Sequence, residues 1–210
     1  MQPLAADLWT IRGLLVGRVY VLEDADGLTL VDVGPWTRGG HILRSLEANG
    51  FPAESIRRVV LTHADPDHVG GLVPILRASR AELIVSPVTE RRVARRARSL
   101  AAQLRVVTDG TVLRDVLGGI TVLDTPGHRP GHMSLWHPER GVLIAGDAVM
   151  TGLLSSIAPL LAHDRTQLAH DLDRLSRLAP QLVLPGHGPA LRRGAGVWLA
   201  SRAARLRGTE

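Results

Sequence analysis

The sequence predicts an α/β fold, an αββα sandwich of two mixed β-sheets packed face to face with helices outside. Three observations carry that prediction. First, the chain has 210 residues, enough to bury roughly 70% of its unfolded surface as a single domain spanning 1–210. Second, 45% hydrophobic and 21% charged residues is the balance of an ordinary globular protein. Third, one plan occurs twice along the chain: a hairpin, an amphipathic helix, a buried strand and a histidine-containing loop.

In the first copy, LWTIRG (8–13), VYVLED (19–24) and LTLVDVG (28–34) are rich in β-branched residues. The last two flank Ala25-Asp26-Gly27, which predicts a hairpin ending at Asp32. RGGHILRSLEANG reads as a helix stopped by Asn49-Gly50, and RRVVLT (57–62) as a buried strand. It opens the loop HADPDHVGG, where Pro66 and Gly70-Gly71 argue against a regular helix or strand. LIVSP, an arginine-rich helix from Pro87 to Gln103, strands near 104–107 and 119–124 and the loop TPGHRPGH follow. In the second copy, SLWHPERGVLIAGD is a strand, a turn and a strand ending in Asp147. HDRTQLAHDLDRLSRLA is a helix with Leu168, Leu172, Leu175 and Leu178 on one stripe, and QLVLPGHGP is a buried strand entering a loop with His187. The repeat implies two sheets related by a pseudo-twofold, with the strand-end loops of both halves on one rim.

Composition excludes several chemistries. Without cysteine there are no thiolate nucleophiles, zinc-thiolate sites or disulfides. Without lysine, Schiff-base catalysis is excluded and all 25 cationic side chains are arginine. The sequence pI of about 11.1 reflects the scarcity of groups that lose a proton above neutral pH. The formal charge is only +5, which speaks for solubility and not for nucleic acid. MQPLAADLWTIRG lacks a basic region before an apolar run, and the apolar stretch from Val149 to Ala162 contains Gly152 and Pro159. The expectation is therefore a cytoplasmic protein with no membrane segment.

The chemistry is concentrated in the loops. His63, Asp65, Asp67 and His68 put two imidazoles and two carboxylates into one short loop, a density that metal ligation explains. His128, Asp147 and His187 each follow a predicted strand beside glycines that allow sharp turns.

This arrangement resembles the metallo-β-lactamase-fold hydrolases, specifically their glyoxalase-II and lactonase-like branch, from about Tyr20 to Pro189. The motif H-x-H-x-D-H followed by His, Asp and His stands here as His63, Asp65, Asp67, His68, His128, Asp147 and His187. THADPDHVGG, DTPGHRPGHMSL and PGHGP also match. The resemblance implies an αββα sandwich holding two divalent cations, zinc first. His63 and His128 would hold one and Asp67, His68 and His187 the other, with Asp147 bridging. Asp67 and Asp147 would be the catalytic carboxylates. A hydroxide between the cations would attack a small ester, thioester or lactone. His132 would orient the ligands, and Asp32 would brace its loop. His41, His137, His163 and His170 match no ligand position and read as surface or helix-face residues.

Position 65 departs from the pattern, with Asp where the family has His. A ligating Asp65 brings the coordinated negative charge to that of two divalent cations, which lowers Lewis acidity and favours iron or manganese beside zinc. Alternatively, Asp65 falls short of the metal. Marks of individual members, including lactonases and glyoxalase-II enzymes, are missing. There is no cysteine ligand, no tyrosine after Asp147, and only a short stretch after His187 where glutathione-binding relatives carry a helical domain. Flavodiiron members share a carboxylate at position 65 but carry a flavodoxin domain. A phosphodiesterase or nuclease is the alternative, because Arg91, Arg95 and Arg98 share a helical face with Arg92 and Arg96 beside it. The competing reading is an amphipathic surface helix whose Val93, Ala97 and Leu100 pack inward; aromatic residues to stack bases are scarce. A small-molecule substrate is expected. Met150, Leu153 and Leu154, with Ile157, Leu160 and Leu161, form a segment that either walls the substrate pocket or packs into the core. The substrate's identity and the oligomeric state are not written in these residues.

Overall fold

The computed structural model describes residues 1–14, 16–156 and 158–208; the side chains of Leu154, Ser156, Ala158 and Pro159 also lie outside the described set, as does Ile157. Two compact units form. The first comprises Met1–Val107 and Leu113–Gly119, the second Thr108–Val112 and Ile120–Glu210.

The first unit is built on a seven-stranded sheet whose strands follow chain order: β1 (Gln2–Ala5), β2 (Leu8–Thr10), β3 (Tyr20–Asp24), β4 (Gly27–Val31), β5 (Ile56–Val60), β6 (Glu82–Val85) and β7 (Leu104–Val106). Strands β1 to β4 pair antiparallel, and β4 to β7 pair parallel. Parallel neighbours need crossovers, which here carry helices α1 (Gly39–Glu47), α2 (Pro66–Val69), α3 (Leu72–Ser79) and α4 (Pro87–Ser99). Ile42 and Leu46 of α1, Ile75 of α3 and Val93 and Ala97 of α4 pack with Leu30, Val59 and Leu83 of the sheet in one core. Helix α4 starts on Ser86, whose hydroxyl accepts from the Thr89 amide, with Pro87 in the first turn. Its buried face is Thr89, Val93, Ala94 and Ala97, while Arg91, Arg92, Arg95, Arg96 and Arg98 are exposed. That is the amphipathic surface helix weighed above.

The second unit carries a five-stranded sheet in the order β12-β11-β10-β9-β8, with β8 (Val112–Leu113) at one edge, β9 (Ile120–Asp124), β10 (Met133–His137), β11 (Val142–Met150) and β12 (Leu182–His187). Strands β9, β10 and β11 pair antiparallel, whereas β11 and β12 pair parallel. The crossover between them holds α5 (Ala158–Leu161) and α6 (Arg165–Ser176), and α7 (Ala195–Arg207) follows. Leu168, Leu172 and Leu175 of α6 and Leu199, Ala203 and Leu206 of α7 pack against Leu143 and Val183. Each unit thus repeats a hairpin, a helical crossover and a parallel strand, the plan read from the sequence.

Several details differ from expectation. Asp147 lies inside β11, which continues to Met150 through register shifts around Gly146. The HADPDHVGG loop does hold a helical turn, α2, because proline is well placed at a first helical position. Strand β1, helix α3 and helix α7 are further elements that the sequence pattern does not announce. Helix α3 tolerates Pro74 because the residue sits in its first turn, where an amide has no helical partner. His137, expected at the surface, is buried and accepts a hydrogen bond from the Arg140 amide. No described helix is long and apolar enough to cross a membrane.

The first unit is cross-linked by a buried guanidinium. Arg58 donates to Asp115 at 2.7 Å and to both oxygens of Asp26 at 2.8 and 2.6 Å, and lies 3.3 Å from Asp24. Hydrogen bonds from Arg105, and then from Arg58, hold the Asp115 carboxyl well below the usual carboxylate range, against the opposing effect of its partial burial. A depressed carboxylate stabilises the fold fully above its unfolded pKa of about 4, and the contribution is lost as pH falls toward the folded value. Arg58→Met should lower stability by about 3 kcal/mol, because it strands the buried Asp24 carboxylate. Asp115→Asn should flatten the acid limb of stability below about pH 4. Urea unfolding of both variants across pH checks both outcomes.

Candidate metal centre

In the first unit, β5 ends just before Thr62-His63 and α2 carries Asp67 and His68. Asp32, which follows β4, organises these residues. Its carboxylate accepts from the Thr62 amide at 2.8 Å, the Thr62 hydroxyl at 2.8 Å and His68 Nδ1 at 2.7 Å. Its own backbone has φ 60, a conformation uncommon outside glycine that surrounding bonds must hold in place. These bonds fix both tautomers. A carboxylate only accepts, so His68 carries its proton on Nδ1. Thr62 gives its hydroxyl proton to Asp32 and therefore accepts from His63 Nδ1, 3.0 Å away. In the neutral form each ring then has its lone pair on Nε2, the atom that can bind a cation. Asp65 Oδ2 lies 3.7 Å from His63 Nε2, and Asp67 Oδ2 lies 3.7 Å from His68 Nε2.

In the second unit, Asp147 Oδ2 is 3.5 Å from His128 Nε2 and 3.3 Å from His187 Nε2. One carboxylate oxygen is thus flanked by two imidazoles, and all three residues are buried. Asp147 can occupy this place because position 186 is glycine: a Cβ there would come within 1.8 Å of Asp147 Oδ1. The amide of Asp147 donates to His132 Nε2 at 3.0 Å. His132 must then be protonated on Nδ1, which donates to Thr125 Oγ1 at 2.8 Å. Thr125 in turn donates to Ser134 Oγ, and Ser134 to the Ala145 carbonyl. Both ring nitrogens of His132 are engaged in these bonds.

The His128 loop is clamped by the start of α6. The amides of His163 and Asp164 donate to the carbonyls of His128 and Gly127 at 2.9 and 3.0 Å, and the Gly127 amide donates to Asp171 Oδ2 at 2.7 Å. A Cβ on Gly127 would meet the Leu168 amide nitrogen at 2.2 Å, so the approach requires glycine. Burial pushes the Asp171 carboxyl up, while bonds from Gln167 and Gly127 pull it back. Sequence reasoning missed Asp171, although an acid between Leu168, Leu172 and Leu175 on an apolar stripe was a visible signal. It also missed the hydroxyls of Thr62, Thr125 and Ser134.

These distances suit cations. Ligands on one tetrahedral zinc, at bond lengths of about 2.0 to 2.2 Å, lie roughly 3.3 Å from one another. The four carboxylate-to-imidazole distances of 3.3 to 3.7 Å stand close to that figure. They are longer than the 3.0 and 2.7 Å hydrogen bonds that orient His63 and His68. The donor set of neutral imidazoles and carboxylates is one that zinc, iron and manganese accept. Of the remaining expected positions, Met150 is buried and Leu153 is 96% exposed, while the Leu154 side chain lies outside the described set. His41 binds the Arg12 carbonyl, and His163 and His170 are exposed.

His132→Ala and Asp171→Ala should each weaken metal retention about 10- to 100-fold, the usual effect of removing a group that orients ligands. His170→Ala, an exposed change on the helix that carries Asp171, should leave retention unchanged. Dialysis against graded chelator followed by metal analysis distinguishes them.

The profile of the Metallo-beta-lactamase superfamily matches residues 12–187. Metallo-beta-lactamase domain-containing protein 1 of Xenopus laevis is 32% identical over 91% of this chain and 77% of its own length. The probable metallo-hydrolase YqjP of Bacillus subtilis is 28% identical, over 82% of this chain and 68% of its own length. A hydroxyacylglutathione hydrolase of Erythrobacter litoralis is also 28% identical, over 70% of this chain, which spans about half (53%) of that enzyme. Among solved structures, a metallo-beta-lactamase family protein of Thermus thermophilus superposes with a TM-score of 0.74 at 22% identity, over 98% of this chain and 80% of that one, and shows the same fold. By profile, relatives and two mixed sheets flanked by helices, the chain belongs to the metallo-beta-lactamase superfamily of metallo-hydrolases.

Proposed function

We propose that the protein is a dinuclear metal-dependent hydrolase of a small thioester, ester or lactone. In this reading His63, His128 and Asp147 would hold one cation, with Asp65 a further candidate ligand, and Asp67, His68 and His187 would hold the other, Asp147 serving both. The observation that carries this reading is the single Asp147 oxygen flanked by the Nε2 atoms of His128 and His187, the posture of a shared ligand. The Erythrobacter relative, named as a hydroxyacylglutathione hydrolase, supports an acyl thioester among the three substrate classes. Zinc is the first candidate, with iron or manganese favoured to the extent that Asp65 adds a hard oxygen donor.

When bound, the cations supply acidity to a coordinated water and a counter-charge for the oxyanion that forms at the attacked carbonyl. The chain's own residues do the rest. In the neutral rings, Asp32 and Thr62 place the proton of His68 and His63 on Nδ1, so that Nε2 is the atom offered to a cation. His132, held by Thr125, fixes the backbone from which Asp147 projects. Asp171 and the start of α6 fix the loop of His128. Such over-determined positions are what a site needs to act without reorganising.

The experiment is metal analysis of the purified protein followed by a panel of acyl thioesters, esters, lactones and phosphodiesters before and after chelation. Turnover of an acyl substrate that chelation abolishes and added metal restores is expected. Metal-free protein with undiminished activity contradicts the reading, and turnover confined to phosphodiesters replaces it with the nuclease alternative. Asp147→Ala should lose both metals and at least about a thousandfold in kcat/KM, because two cations depend on its carboxylate. Asp65→Ala should lose at most one metal. Equal loss in both variants refutes the shared-ligand assignment.

A further inference from the structure

The second unit holds a cleft of about 100 Å³ that none of the metal ligands lines. It opens between α6 and α7 beside the end of β11. Its walls are apolar: Val149 and Met150 from the strand, Leu168 and Leu172 from α6 and the Trp198 ring from α7. An apolar cavity of about 150 Å³ takes a molecule of benzene, so this one suits a short aliphatic chain. Ala148, Ser155 and Leu206 complete the lining with three arginines, Arg165 of α6 and Arg202 and Arg205 of α7. Arg202 and Arg205 stand one turn apart on the same face of α7, and the Arg202 guanidinium lies over Trp198 at 5.0 Å from the ring centroid.

Among the described residues, neither Arg202 nor Arg205 forms an ion pair with a carboxylate. The contrast with Arg58, Arg105 and Arg174, each bonded to acidic side chains, is plain. Partial burial, and then the like charge of Arg205, lower the pKa of Arg202, the signature of a cation lacking a counter-charge. Proximity to a helix C-terminus favours the arginines of the last turn, Arg205 and Arg207, but not a desolvated Arg202 a turn earlier. An apolar slot with two neighbouring guanidiniums at its edge is complementary to one kind of small molecule.

We propose that the α6–α7 cleft binds a small amphipathic carboxylate, its aliphatic tail between Val149, Leu168 and Leu172 and its head group on Arg202 and Arg205. This site is separate from the proposed metal centre. It does not depend on the hydrolase reading, although the acid released from an acyl substrate belongs to the class it would take.

The probe is sodium hexanoate, titrated calorimetrically into the metal-loaded protein. One saturable site is expected, with affinity falling about fourfold for each methylene removed on going to butyrate and acetate. Hexanamide should bind about tenfold or more weakly, as should hexanoate to Arg202→Gln. His63→Ala, altered at a proposed metal ligand, should bind hexanoate as before. A crystal soaked in 6-bromohexanoate should show the bromine between α6 and α7. Absence of saturable binding overturns the proposal. So does binding that survives Arg202→Gln but is lost in His63→Ala, or bromine density only elsewhere.

Discussion

The site depends on keeping one carboxylate, that of Asp147, buried between two imidazoles. A carboxylate withdrawn from water is costly unless charge and hydrogen bonds offset the loss of hydration. Here one oxygen stands 3.5 and 3.3 Å from the Nε2 atoms of His128 and His187, and in the proposed reading a shared cation would offset the lost hydration of all three groups. The backbone around it is built for that purpose: Gly186 leaves room for Oδ1, the Asp147 amide is anchored on His132, and β11 departs from regular register at Gly146 to present the side chain.

The same economy runs through the first unit. Asp32 adopts an uncommon backbone conformation, yet its carboxylate collects three donors and through them orients two histidines. In the second unit the chain of hydrogen bonds from His132 through Thr125 and Ser134 to a main-chain carbonyl is directional and closed, which holds the His132 ring in one orientation. Local strain and buried polar groups are tolerated in both units where they position a ligand. Elsewhere the interiors are conventional, with aliphatic side chains from helices packed on the sheets.

Much of this was legible in the sequence, because a doubled pattern of hairpin, helix and strand survives in hydrophobic periodicity even where the residues differ. The loop from His63 to His68 and the histidines and aspartate at 128, 147 and 187 stood out because few roles besides metal binding explain such residues beside glycines. The groups that orient them did not stand out. Thr62 meets Asp32 across 30 residues and Asp171 meets Gly127 across 44, and hydroxyls or a single acid carry no periodic signal at such separations. Helix α7 was hidden by its glycines and weak amphipathic pattern, and with it the cleft that its arginines edge. Strand β11 was read as ending at Asp147 because a functional aspartate and a preceding glycine look like a strand end, whereas here they mark an irregularity within a longer strand.

The most direct test of the central claim is anomalous diffraction from crystals of the metal-loaded protein, collected at the absorption edge of the metal found by elemental analysis. Two peaks about 3.5 to 4 Å apart, with the Asp147 carboxylate between them, are the expected result. A single peak away from Asp147, or none in protein that still hydrolyses its substrate, would contradict it.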